Sequence, residues 1–243
     1  MMKDTILFDL DGTLLQFSQK EFVNVYLGEI AKVFVGLGLD AGASVKALWA
    51  GTKAMVLNDG SMPNAGRFWG AFSGALGLTD AQAARVEAAC DGFYANEFEA
   101  VRSVLKPSAI AERLVRAMAS KGYTLVLATN PLFPLCGVET RLRWAGLCAE
   151  DFLLVTHYQN STYCKPNLGY YREILGKIGK APEQCLMAGN SPAEDMVAGT
   201  LGMETFLVTD CLENETDADI SVFRSGTLAE LETVLMSRNW ERL

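Results

Sequence analysis

Ile6-Leu7-Phe8-Asp9-Leu10-Asp11-Gly12-Thr13-Leu14-Leu15 begins as an uninterrupted apolar run and turns into two carboxylates followed by a glycine. Apolar residues with no turn residue among them suit a strand covered on both faces, and such strands belong to parallel sheets. Gly12 lets the chain turn tightly where the strand stops. Side chains alternate along an extended chain, so Asp9 and Asp11 point the same way. Like charges that close disfavour each other unless a cation or a proton intervenes. A divalent metal answers that demand, and two incidental acids on a solvated strand end are the plain alternative.

Four further apolar segments, near 123–128, 152–156, 184–188 and 204–208, read as buried strands, and helical patterns alternate with them. Pro107 and Ser108 open one helix, with Ile110, Ala111, Leu114, Val115 and Met118 on a single face and Gly122 just past its end. Others are expected near 134–145 and 167–178, with Gly146 and Gly179 behind them. Ser191-Pro192 offers an N-cap and a first-turn proline for a fourth, and Thr227 with Glu230 a capping box for the last. Alternating strand and helix predicts a parallel sheet with right-handed crossovers. Between Leu15 and about Leu105 the alternation stops. That stretch reads as helical throughout, with Phe22, Tyr26, Ile30, Val33, Phe34 and Leu37 striping one helix and Thr79 and Gln82 capping another. The expected fold is therefore α/β, a Rossmann-like doubly wound parallel sheet core made of residues 1–15 and 106–243. An all-helical cap domain, residues 16–105, is inserted after the first strand. Because it hangs from the strand tip that carries Asp9, it is expected to act as a lid.

Ligands of open parallel sheets bind beyond the carboxyl ends of the strands, so chemistry should collect there. Asp9-Leu10-Asp11-Gly12-Thr13 resembles the first motif of the haloacid dehalogenase superfamily, mostly Mg²⁺-dependent phosphatases with an aspartate nucleophile. Thr129-Asn130-Pro131, after the second strand, is similar to the second motif, in which a hydroxyl holds a phosphoryl oxygen. Lys165-Pro166 resembles the third, a lysine that clamps phosphate and keeps the nucleophile ionised, and no other basic residue sits so near a predicted strand tip. Gly189-Asn190-Ser191-Pro192-Ala193-Glu194-Asp195 looks like the fourth with one departure, Asn190 standing where the family has an acid. Four motifs in order, each at a predicted strand end, span the whole core.

The resemblance implies Asp9 as nucleophile, Asp11 as acid and then base, Thr129 and Lys165 as phosphate-holding groups, and Gly12, Thr13 and Asn130 as their neighbours around the substrate. It implies Mg²⁺ held by Asp9, the backbone on the Asp11 side, Asn190 and Asp195, with Glu194 as a possible substitute. One negative charge fewer at Asn190 predicts a higher Mg²⁺ requirement. The implied activity is hydrolysis of a small phosphorylated metabolite through an aspartyl phosphate. The alternatives are a phosphonatase, for which Lys53 would form a Schiff base, a phosphomutase, or a non-catalytic binding or regulatory member. Halide displacement is disfavoured because the resembling dehalogenases do not use the second aspartate and the metal. Lys53 and Arg67 in the cap are candidates for an anionic substrate group, and Trp49, Phe68 and Trp69 for an apolar one if they are not simply core.

The bulk numbers exclude other classes. A net charge of −8 and a pI near 4.8 argue against nucleic acid and anionic membranes as partners, since phosphate binding needs a basic surface. No apolar stretch approaches the roughly 18–20 residues of a membrane span. Six scattered cysteines without C-x-x-C spacing, beside the single His157, fit no zinc pattern and suggest reduced thiols in a cytoplasm. No G-x-G-x-x-G follows a strand, which removes the dinucleotide fingerprint. The acidic run Asp210, Glu213, Glu215, Asp217 and Asp219 reads as a solvated loop.

Overall fold

The computed structural model describes residues 3–106 and 108–237, so Pro107, read above as a helix opener, lies outside the described residues. Six parallel strands form one sheet in the order β3-β2-β1-β4-β5-β6. They are β1 (Thr5–Phe8), β2 (Thr124–Leu127), β3 (Leu154–Val155), β4 (Cys185–Gly189), β5 (Glu204–Val208) and β6 (Ser225–Gly226). The apolar run of β1 is central, with Ile6 paired to Leu125 on one side and to Leu186 on the other. Its side chains feed two cores by strict alternation. Ile6 and Phe8 join Leu125, Leu127, Leu186 and Ala188 on one face, while Leu7 joins Val126, Cys185 and Met187 on the other.

The remaining helices of the core are α5 (Ile110–Ser120), α6 (Leu135–Trp144), α7 (Leu168–Ile178) and α8 (Leu228–Met236), preceded in the chain by α1 (Gln19–Gly36), α2 (Ala41–Val56), α3 (Asn64–Leu76) and α4 (Asp80–Ala95). The first four, with a 3₁₀ segment Glu97–Val104, form a helical insertion between β1 and α5. Its connecting strands run side by side, the Lys106 amide donating to the Gln16 carbonyl at 2.8 Å. Both halves of the expected capping box are present at α4 and again at α8. Rings of Phe22, Tyr26, Phe93, Tyr94 and Phe98 stack and cross one another and meet Phe133 from the sheet side, so the insertion shares an aromatic core with the sheet. Among the described residues no single helix is long and apolar enough to cross a membrane.

Three local expectations need correction. α5 starts at Ile110, with Ser108 Oγ accepting from the Ile110 amide at 3.3 Å. β6 was not foreseen, because Ser225 and Gly226 carry no apolar signal and are held at the sheet edge by backbone pairing with Leu207 and Val208. No α-helix follows Ser191-Pro192. The chain makes a turn and then a 3₁₀ segment, Met196–Leu201, since Asp195 folds back so that its carboxylate accepts from the Ser191 amide at 2.9 Å.

Candidate active site

Parallel strands end at the same side of the sheet, so the tips of β1, β2 and β4 and the loop after β3 deliver Asp9, Thr129, Asn190, Asp195 and Lys165 to one crevice. Lys165 lies at its centre, almost wholly buried. Its ammonium donates to Asp9 Oδ1 at 2.8 Å and to Asp195 Oδ1 at 2.6 Å. Burial alone would lower the lysine's pKa, but the two carboxylates outweigh it and hold the pKa well above the usual range. The other oxygen of Asp9 accepts from Thr13 Oγ1 at 3.2 Å, and the same hydroxyl lies 3.3 Å from Asn190 Oδ1. Asn130 joins the remaining motifs, its amide donating to the Glu194 carboxylate at 3.1 Å and its oxygen accepting from the Lys165 backbone at 3.3 Å. Thr129 is buried beside them, its carbonyl accepting from the hydroxyls of Tyr170 and Thr156 at 2.8 and 2.7 Å.

Two glycines make this convergence possible. Gly12 has φ +79°, and a Cβ there would stand 2.1 Å from Asn190 Nδ2. A Cβ on Gly189 would stand 2.2 Å from the Asp195 carboxyl. Any side chain at either position displaces a residue of the site.

Two groups in the crevice escape sequence reasoning. Arg141, on α6, is fully buried and forms an ion pair with Asp11 through Nη1. Its guanidinium lies 4.2 Å over the Phe133 ring and its Nε donates to the Gly137 carbonyl at 3.3 Å. Lys165 is therefore not alone as a cation here. The signal was an arginine in the inward stripe of α6 beside Val138 and Leu142, where a charge needs a buried partner. The second group is Glu213, which leaves the supposed solvated loop: its amide donates to the Asn190 carbonyl at 3.0 Å, and burial with the nearby acids Glu194, Asp11 and Asp195 pushes its pKa up to about 7.

Negative charge is in excess. Burial raises the Asp9 pKa to about 8, with Asp195 and Asp11 adding to the effect and Lys165 opposing it. Asp11 is also raised by burial, against the pull of Arg141 and Lys165, and its Oδ1 is buried with no hydrogen-bond partner. Among the described residues no group of three or more His, Cys, Asp or Glu forms a ready-made metal cage. The oxygens near Asp9 are those of Asp9, Asp195 and the Asn190 amide, a hard and sparse set of the kind Mg²⁺ accepts while keeping several waters. Asn190 is not free to swing, because its Nδ2 donates to the Cys211 carbonyl at 2.7 Å.

Lys53 and Arg67 are not brought to this site. Lys53 is exposed on α2. The Arg67 guanidinium is occupied by Asn58, Asp59 and Ser61 at 3.0, 2.5 and 2.7 Å. His157 bonds to Gln159 at 2.6 Å and takes no part. Next to the Thr129 and Lys165 loops, the start of α3 is tied down: the buried Asn64 side chain donates to the carbonyls of Pro131 and Tyr163 at 3.4 and 3.3 Å.

The family model for haloacid dehalogenase-like hydrolases matches residues 3–200. No curated protein sequence matches. Solved structures of similar fold include a 2-haloacid dehalogenase from Pseudomonas syringae pv. Tomato DC3000, 19% identical with a TM-score of 0.61 over 97% of this chain and 98% of that one. CbbY from Rhodobacter sphaeroides in complex with phosphate is 19% identical with a TM-score of 0.59, covering 95% and 96%. A predicted phosphoglycolate phosphatase from Haemophilus somnus 129pt is 18% identical with a TM-score of 0.58, covering 97% and 99%. At these identities the likeness concerns the fold.

Proposed function

The chain belongs to the haloacid dehalogenase-like hydrolases, and from that membership we propose that it is a phosphatase acting on a small phosphate monoester, with Asp9 as nucleophile. The observation that carries this reading is the placement of Lys165 between Asp9 and Asp195, a fixed positive charge where a phosphoryl group would meet the nucleophile. An Asp9 oxygen attacks phosphorus in line, forming an aspartyl phosphate as the bond to the ester oxygen breaks. Asp11 gives its proton to that leaving oxygen, then takes one from the water that cleaves the acyl phosphate and releases inorganic phosphate. The raised pKa of Asp11 suits the first role, and its pairing with Arg141 holds the carboxyl in place for both. Thr13 and Lys165 orient the Asp9 carboxylate, while Thr129 and Asn130 border the phosphate position.

Asp9, Asp195, Asn190 and the backbone beside Asp11 would hold Mg²⁺ in this scheme. Bound there, the ion supplies positive charge that lets Asp9 ionise among its acidic neighbours and offsets the charge of the phosphate. Retention of Asp11 favours phosphoryl transfer over halide displacement. The test is hydrolysis of a generic aryl phosphate by the purified protein. Activity that requires Mg²⁺ and disappears in Asp9→Asn, with the circular dichroism spectrum unchanged, supports the proposal; turnover by Asp9→Asn near that of the parent protein contradicts it.

A further inference from the structure

The crevice continues past Asp11 into a cavity of about 130 Å³ that reaches between α1, α2, α3 and the start of α6. Its walls are rings and aliphatic side chains, among them Phe22, Phe34, Phe68, Phe72 and Phe133. Gln19 and Trp49, both exposed, stand at its rim. Among the described residues lining it there is no Lys, Arg or His, and Asp11 is the only acid.

The tyrosine, tryptophan and threonine side chains of the wall already hold hydrogen bonds. Tyr26 and Tyr94 share a hydrogen bond of 2.8 Å between their hydroxyls. Tyr158 accepts from Trp69 Nε1 at 3.3 Å, and Thr52 Oγ1 donates to the Leu48 carbonyl at 3.0 Å. A carboxylate or second phosphate entering this space would lose its hydration and meet no cation in the wall, because Arg141 lies outside the lining against the Phe133 ring and is paired with Asp11. A sugar would bury hydroxyls with few partners to replace water. Both are costly. An apolar group gains from the same walls.

We propose that this cavity receives the leaving-group portion of the substrate, and that this portion is an uncharged, apolar alcohol the size of one six-membered ring or a branched alkyl chain of similar bulk. The inference rests on the phosphatase reading, because it places the ester oxygen at Asp11 and the phosphoryl group at Asp9. Size follows from comparison with an engineered apolar cavity of about 150 Å³, which takes up benzene. The unused candidates for an anionic group agree with it, since Lys53 and Arg67 lie outside the cavity wall.

The experiment compares kcat/KM of the native protein in Mg²⁺ buffer for benzyl phosphate and 3-methylbutyl phosphate with the values for 2-phosphoglycolate and glucose 6-phosphate. Acetyl phosphate serves as a substrate with almost no leaving-group bulk. The expected result is a preference of about 100-fold or more for the two apolar esters, the size of discrimination a hydrophobic pocket achieves against an added hydroxyl. Equal or better turnover of 2-phosphoglycolate or glucose 6-phosphate, with acetyl phosphate hydrolysed, overturns the apolar assignment and leaves the phosphatase reading standing. No hydrolysis of any of the five, acetyl phosphate included, removes the phosphatase reading and this inference with it.

Discussion

Replacing Lys165 with methionine removes the cation that touches both Asp9 and Asp195 while keeping most of the side-chain volume. Its ammonium donates to carboxylates at 2.8 and 2.6 Å, and all three side chains are at least nine-tenths buried. Breaking a buried ion pair by removing one partner costs about 3–5 kcal/mol, because the remaining charge is left desolvated. For a chain of this length each kcal/mol moves Tm by about 2–4 °C, so a loss of about 6–20 °C is expected at pH 8. The loss should depend on pH in a definite direction. Asp9, raised by burial to about 8 even beside the lysine, has a folded-state pKa well above its unfolded one, near 4. The folded protein then binds more protons than the unfolded chain above that pH, and stability falls as pH rises through the window up to the folded-state pKa. At pH 5 the Asp9 carboxyl is protonated, so less charge is stranded and a smaller loss is expected. Thermal unfolding followed by circular dichroism at pH 5 and pH 8, in chelator to exclude divalent ions, measures the difference. An equal Tm loss at both pH values would refute the reasoning, since it would mean that no charge is stranded.

Other outcomes follow from the same geometry. Gly12→Ala places a Cβ against Asn190 Nδ2 at a φ of +79°, so it should lower stability by about 1–2 kcal/mol and raise the Mg²⁺ needed for half-maximal activity, read by denaturant titration and metal titration. Arg141→Leu leaves the part-buried Asp11 without its partner and should cost about 2–4 kcal/mol, less than a fully buried pair, and much less in an Asp11→Asn background; additive losses in the double-mutant cycle would mean that the pair is not coupled. Glu213→Gln removes a carboxyl whose folded-state pKa is raised to about 7, so it should raise Tm at pH 8 and leave it unchanged at pH 4, because the stability that this group withdraws is lost as pH climbs from its unfolded value to about 7.

Local signals carried most of the core. Apolar runs of four or five residues ending in Asp9, Thr129 or Asn190 mark strands whose tips hold chemistry, and the capping residues Thr79 and Thr227 mark two helix starts to the residue. What escaped was tertiary. β6 exists only because Ser225 and Gly226 find the edge of β5, and nothing in their side chains announces it. The region after Ser191 has the local marks of a helix start, but the carboxylate of Asp195 bonds back to the Ser191 amide and the chain tightens into a 3₁₀ segment. Arg141 and Glu213 lie outside every motif, and their part in the site depends on α6 and the loop after β5 packing against the β1 and β4 tips. Lys53 and Arg67 show the converse: position in the insertion made them candidates, yet exposure and the Asp59 contact keep them away from the crevice.

Trapping the reaction on Asp9 tests the central claim most directly. The protein is quenched in acid during turnover of a phosphate ester and analysed by mass spectrometry, with the peptide containing residues 3–15 read for its modification. The expected result is one added phosphoryl group on that peptide, localised to Asp9, labile to hydroxylamine and missing from Asp9→Asn. Turnover with no phosphoryl group on that peptide, or with the label on another residue, would contradict the account.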